Sequence, residues 1–378
     1  MNRHTAPGAA LLSVLLATIA TEADAEVFAT GLTGPIKLDV TGLGSLVVSE
    51  RGTATNDGRL SIVDRAGNVR PLLSGLPSAK EVTDVPSGPT SVVVRGCCII
   101  DLAIGEGDTL RFDLAGPPGS QVPNPVGASS PIFSSVMRIV LSAPVDQITA
   151  GFELPQVKYD NIADGYTVAL VNTSGEKAWV RLLEELKDFR PDPMTNVRGS
   201  NPFGMTSGPA ETLLIADGGQ NSLVQVSVGA APRTLVRFPP VPNPEGVLPP
   251  VTDAVPTSVR HLRGDQYLVS LFAGVPFAPG TSSIRLVDIE QRKQSVLIAG
   301  LTSVTDTLPI GSSLYVLEMS ANLFQGAPGR LLRYSSPSST PTVAASGLIG
   351  PTGMIYSPRD RAIYITELFA GQITRVPL

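Results

Sequence analysis

An all-β fold of repeated four-stranded sheets, a six-bladed β-propeller, is what this sequence predicts. Three observations carry the prediction. Gly and Pro number 37 and 34 in 378 residues, without a triplet period; that load breaks long helices and favours short strands joined by turns. One short pattern, mostly led by Pro and followed by a small or polar residue, recurs six times. Each recurrence is followed by further short apolar or alternating runs between Gly, Pro, Ser and Asp turns, which is the signal of strands.

The chain opens with a polar start at Arg3 and His4, then a 12-residue apolar run from Ala9 to Ala20, then Ala23-Asp24-Ala25. The run is too short to span a bilayer, and the order polar, apolar, small-x-small is that of an export signal cleaved after Ala25. Residues 26–378 are then one domain, exported to the periplasm or beyond, and no later run is long enough to cross a membrane.

The inner strands read GPIKLDV from Gly34, GPTSVVV from Gly88, NPFGMTS from Asn201, VPTSVRH from Val255, SVTDTLP from Ser303 and GPTGMIY from Gly350. Second strands follow as SLVVSE, CIIDLAIGE, TLLIAD, QYLVS, SLYVLE and AIYITE, then third strands such as RLSIVD and QITRVPL, then fourth strands such as VRPLLSGL and QSVLIAGL. Four strands at a period near 50 make a propeller blade, and stacking blades around an axis buries what one sheet cannot. The last unit stops after its third strand, and EVFATGL from Glu26 matches the missing fourth, so the N-terminal strand is expected to close the ring and remove the open edge. The inner strands begin at residues 34, 88, 201, 255, 303 and 350, so one interval of 113 stands among four of 47 to 54. The long interval is read as one blade with an insertion at about 112–176; two degenerate blades, giving seven, are the alternative.

Composition narrows the function. A net charge of −5 with 28 basic and 33 acidic residues leaves no footprint for nucleic acid. Cleavage of the signal leaves one histidine, His261. That excludes zinc or iron sites needing two His, and any Ser-His-Asp triad would have to use it. His261 itself reads as a partly exposed side chain. The vicinal Cys97-Cys98 falls on an apolar run, where alternation points the two thiols to opposite faces; the expectation is two buried thiols, with a strained vicinal disulfide as the alternative. Trp179 reads as packing in an outer strand.

No catalytic residue is assigned. Inner strands line a propeller's channel and ligands sit at its mouth. Aligning the six units places Lys37, Ser91, Gly204, Ser258, Asp306 and Gly353 at one level, with Lys37 and Asp306 of opposite charge. Lys37, Ser91, Asn201, Ser258 and Asp306 are therefore the candidate ligand-binding residues. Glu50, Glu106, Asp217, Glu318 and Glu367 close or follow the second strands. Their repetition suggests carboxylates accepting backbone N–H groups at turns. The alternative for Glu50, Asp217, Glu318 and Glu367 is a set of oxygen ligands for Ca²⁺, the one cofactor the sequence leaves open. Asp84 and Asp253, each ahead of a Pro-led strand, read as turn residues.

At NPFGM, LLIAD, VRFPPVPNP, DAVPTSV and SLYVLE, and in the PF-x-PG of Pro276 to Gly280, the chain resembles the ScyD/ScyE family of exported propellers associated with the pigment scytonemin. The blade repeats themselves are similar to those of any NHL-type or gluconolactonase-like propeller. The resemblance implies the fold, the export route and, in some members, a place in secondary-metabolite synthesis. Where the family shows Glu-Leu-Thr-Gly, this chain reads Ser270-Leu271-Phe272-Ala273-Gly274, so no role for that acid carries over. The reading is a monomeric accessory propeller that holds a small organic ligand or a partner protein at one channel mouth. The enzyme alternative is a divalent-metal-dependent hydrolase of the lactonase kind.

Overall fold

The computed structural model describes residues 25–116, 120–186, 190–191 and 197–378. All but the last residue of the expected export signal lie outside these. Six antiparallel sheets form the six blades of a propeller. Blade one comprises Pro35–Val40, Leu46–Glu50, Gly58–Val63 and Val69–Leu76. Blade two comprises Pro89–Arg95, Ile99–Ile104, Ser135–Leu141 and Lys177–Glu185. Blade three runs through Pro202–Ser207, Leu213–Asp217, Ser222–Ser227 and Ala230–Arg237. Blade four holds Pro256–Arg263, Gln266–Leu271, Ser282–Asp288 and Lys293–Leu301. Blade five holds Val304–Ile310, Ser313–Glu318, Gly329–Tyr334 and Thr342–Leu348. Blade six holds Pro351–Ser357, Ala362–Glu367 and Gln372–Pro377, and its outer strand is Glu26–Thr30. The pairing Glu26↔Arg375 to Thr30↔Gln372 closes the ring as expected.

The long interval is a single blade. After its third strand the chain leaves blade two, and Phe152–Glu153 pairs in parallel with Leu73 and Ser74 on the outer strand of blade one. The Tyr159 hydroxyl donates to Gly75 O at 2.7 Å. The chain then returns as Val168–Val171, a fifth strand outside Lys177–Glu185. Phe152, Leu154 and Ile162 are buried by this detour, so the excursion buttresses blade one rather than building a seventh blade. Trp179 lies in the fourth strand, between Val140 and Ala169, as an outer residue.

Second strands such as Leu46–Glu50, Leu213–Asp217 and Ala362–Glu367 are buried at every position. Both their faces meet a neighbouring blade, which is why they read as continuous apolar runs rather than alternating ones.

Every inner strand carries the same irregularity. The first residue pairs with the end of the second strand, as in Pro35↔Glu50, Pro89↔Ile104, Pro202↔Asp217, Pro256↔Leu271, Val304↔Glu318 and Pro351↔Glu367, and the register then slips by one. The extra residue of this bulge is Ile36, Thr90, Phe203, Thr257, Thr305 or Thr352 in blades one to six. A bulge twists a strand and re-aims its side chains. Here it turns the threonine hydroxyls onto the adjoining blade. Thr90 donates to Pro202 O, Thr257 to Val304 O at 3.0 Å, Thr305 to Pro351 O at 3.0 Å and Thr352 to Pro35 O at 3.1 Å. Ile36 and Phe203 have no hydroxyl to do so.

Candidate functional site

The residue after each bulge faces the axis, and the six aligned positions form one layer. Lys37, Ser91, Gly204 and Ser258 border the same small cavity of about 10 Å³, roughly the room of one water-sized sphere. Two glycines let the blades close this tightly. A Cβ on Gly204 would lie 2.6 Å from Ser258 Cα, and one on Gly353 would lie 2.7 Å from Ile36 O.

Lys37 and Asp306 meet across this layer. Lys37 Nζ lies 3.5 Å from Asp306 Oδ2, with both side chains nearly or wholly buried. Nζ donates to Thr305 O at 2.8 Å and Thr352 O at 2.6 Å, and sits 5.6 Å from the centre of the Phe203 ring. The larger partner of Asp306 is Arg260, whose Nε and Nη2 grip both carboxylate oxygens at 3.1 and 2.7 Å. Arg260 Nη2 also donates to Met354 O at 2.7 Å, and Met354 N donates to Asp306 Oδ2 at 3.1 Å. Asp39 completes the set, accepting the Val94 N–H at 2.8 Å from blade two.

Burial and the charges within this cluster set its protonation. Burial pushes Lys37 down to about 8; Asp306 opposes that fall and Arg260 adds to it. Burial works to raise Asp306, but the charges of Arg260 and Lys37 and the bonds it accepts outweigh that and hold it at about 2. Burial also raises Asp39, partly offset by the Val94 and Val40 N–H groups. Two cations and two carboxyls thus form a plug across the axis. Sequence reasoning placed Lys37 and Asp306 there and missed Arg260 and Asp39. Both lie two residues beyond a layer residue, on the same face of an inner strand, and strand alternation carries that signal.

Above the plug, at the end where the inner strands begin, the channel widens into a funnel of about 870 Å³ bounded by blades one to four and the short hairpins before and within blade two. Ile36, Thr90 and Phe203 form its floor, and Leu110, Phe112, Val275 and Phe277 belong to its walls. Its charged and amide side chains include Arg51, Glu81, Glu106, Asn201 and Asp253. Asn201, expected in the channel lining, stands here rather than in the Lys37 layer. Its Oδ1 is buried without a hydrogen-bond partner.

The repeated acids divide into two kinds. Glu50, Asp217, Glu318 and Glu367 each clamp the segment leading into their own inner strand, accepting the N–H of Thr33, Asn201 (2.9 Å), Thr302 (2.8 Å) and Ile349 (2.5 Å). Further bonds engage each of them, such as Arg59 Nε to Glu50 at 2.7 Å and Arg330 Nε to Glu318 at 2.6 Å. Among the described residues no group of three or more His, Cys, Asp and Glu is arranged to hold a metal ion. Glu106 is different. The register puts Ile104, not Glu106, at the position of the clamping acids, so its equivalence with them is corrected. Glu106 lies two residues past the strand, and among the described residues its side chain accepts one hydrogen bond, from Asn201 Nδ2 at 3.4 Å. Loss of solvent, with the negative charges of Glu81 and Asp217, pushes its carboxyl up to about 8.

Cys97 and Cys98 form a disulfide, not the expected pair of buried thiols. They sit in the turn between the first two strands of blade two, with Cys97 exposed, where strand alternation no longer applies. His261 is exposed, its Nε2 2.9 Å from Gly264 O and its ring edge-on to Tyr267. Asp84 is an exposed turn residue paired with Lys80 at 3.7 Å, and Asp253 accepts the Asn221 amide at 3.0 Å.

No protein-family model and no curated protein matches this sequence. Solved structures do match its shape. A catalytically inactive virginiamycin B lyase from Staphylococcus aureus with quinupristin superposes with a TM-score of 0.51 at 12% identity, covering 94% of this chain and 98% of that one. A streptogramin B lyase follows at 0.49, with 12% identity and 93% and 96% coverage. A PQQ-bound aldose sugar dehydrogenase from Streptomyces coelicolor reaches 0.46, with 12% identity and the same coverage. At such identity the first of these supports the propeller fold and nothing finer.

Proposed function

We propose that this is a ligand-binding propeller whose site is the funnel, and that it holds a small organic molecule there as an accessory factor. The funnel carries this reading: about 870 Å³ of space whose walls are mostly apolar in exposed surface and carry polar groups as well suits a small organic ligand. The plug beneath its floor is engaged in its own charges and carbonyls, so Lys37 and Asp306 act as structure rather than as ligand contacts. The resemblance to the ScyD/ScyE family supports export and a role beside secondary-metabolite or pigment synthesis.

The test uses 1-naphthalenemethanol, a neutral aromatic probe, followed by calorimetry. We expect one probe per chain, and at least a tenfold loss of affinity in Val85→Trp, which fills the funnel from its rim with an unchanged melting temperature. Equal affinity in the filled variant would overturn the reading.

A further inference from the structure

Glu106 is the one repeated acid with no structural task. Its place in the register belongs to Ile104, and among the described residues no cation pairs with it and its one side-chain hydrogen bond is a long one from Asn201. It borders the funnel among aromatic and aliphatic walls. Resting on the reading of the funnel as a ligand site, we propose that Glu106 is the ligand's polar anchor and receives the basic nitrogen of an aromatic or apolar amine.

The charges around it select that chemistry. Glu81 approaches from the hairpin before blade two and Asp217 from the second strand of blade three, and both act on Glu106 as negative neighbours. Asp253 contributes another acid from the segment ahead of blade four. Asp108, on the same turn, is taken up by Arg111 at 3.7 Å and by Ser129 N–H at 2.8 Å. Arg51, the cation of the funnel wall, feels the opposing charge of Glu81. Lys37 lies below Phe203, held by the plug. Carboxylates that hold a proton on Glu106 also attract a cation, and an ammonium arriving there takes over the proton's role. Phe112, Phe203 and Phe277 supply ring faces or edges for an apolar body and for cation–π attraction. The balance is simple: a neutral Glu106 carboxylic acid and an ammonium give an ammonium–carboxylate pair and one proton released to buffer.

Calorimetry with 1-naphthylmethylamine and its alcohol counterpart, 1-naphthalenemethanol, tests this at pH 7 in two buffers of different ionisation enthalpy. We expect about one proton released per amine bound and none per alcohol. Amine affinity should rise about tenfold per pH unit below about 8 and level off above it, as a single linked proton requires. Glu106→Gln should collapse the amine's advantage over the alcohol by tenfold or more. The proton count on the unaltered protein stands even if that variant folds poorly. Equal affinities with no proton release would overturn the anchor and leave the funnel reading standing. Failure of both probes to bind would remove both.

Discussion

Blades four, five, six and one meet the axis differently from blades one, two, three and four. On the first arc, three consecutive junctions are stitched by a bulge threonine, from Thr257, Thr305 and Thr352, and the Asp306 plug ties blades one, four, five and six together. On the second arc, Thr90 is the only stitch of this kind, and Ile36 and Phe203 occupy the other two positions. Between blades one and two, Ser49 Oγ still reaches Thr90 O at 2.9 Å. Between blades three and four, Phe203 and Ala216 bring no hydroxyl at this level. The second arc is where the funnel lies. One repeated position thus serves two ends: a polar β-branched residue fastens blades, and an apolar one gives up the bond and makes a wall.

The sharpest break should come at the plug. Asp306→Ala leaves Lys37 and Arg260 buried without their acid, and we expect a loss of about 3–5 kcal/mol in chemical denaturation. A loss below about 1 kcal/mol would show that the stitched arc does not depend on the plug. Next comes the stitch itself. Thr352→Val keeps shape and removes the bond to Pro35 O, an expected loss of about 1–2 kcal/mol with probe binding in the funnel unchanged. Phe203→Leu on the other arc should do the reverse, with a loss of about 1 kcal/mol or less, since the ring faces open space and a cation–π contact, but a measurable change in probe affinity.

The two arcs should also differ in their response to pH, a smaller effect read by calorimetric melting. Asp306 titrates at about 2 when folded against an ordinary 3.8, so its contribution is present above about pH 4 and is lost as pH falls towards 2. The stability gap between the protein and Asp306→Ala should shrink over that interval. Glu106 titrates at about 8 when folded against 4.5, so the folded chain keeps a proton that the unfolded chain has released. Stability from this group is present below pH 4.5 and lost as pH rises to 8. Glu106→Gln should therefore match the protein near pH 4 and gain on it progressively towards pH 8. A constant difference across that range would show that Glu106 titrates normally.

Much of this was legible from residues alone. The Pro-led pattern places six inner strands and aligns Lys37 with Asp306, because a propeller repeats its geometry with its sequence. N-terminal closure follows from counting strands. Arg260 was hidden by attention to a single level, although alternation points two residues on. Glu106 was mistaken for a clamping acid because the motif ends in a carboxylate; counting back from the Pro89 pairing gives Ile104 instead. The Cys97–Cys98 bond depends on where a turn begins, which an apolar run does not mark. The funnel depends on hairpins far apart in the chain, and no local pattern encodes a space between them.

The plug has one more consequence. With Lys37 and Arg260 paired to Asp306, the space at this layer of the axis is about 10 Å³, roughly one water, so the funnel is a chamber and not a conduit for an organic ligand. Whatever occupies the funnel arrives and departs through the same doorway, past Val85 and Phe277. A substitution that narrows that doorway without filling the chamber, unlike Val85→Trp, should slow arrival and departure alike, so residence time can be lengthened there with little change in equilibrium affinity.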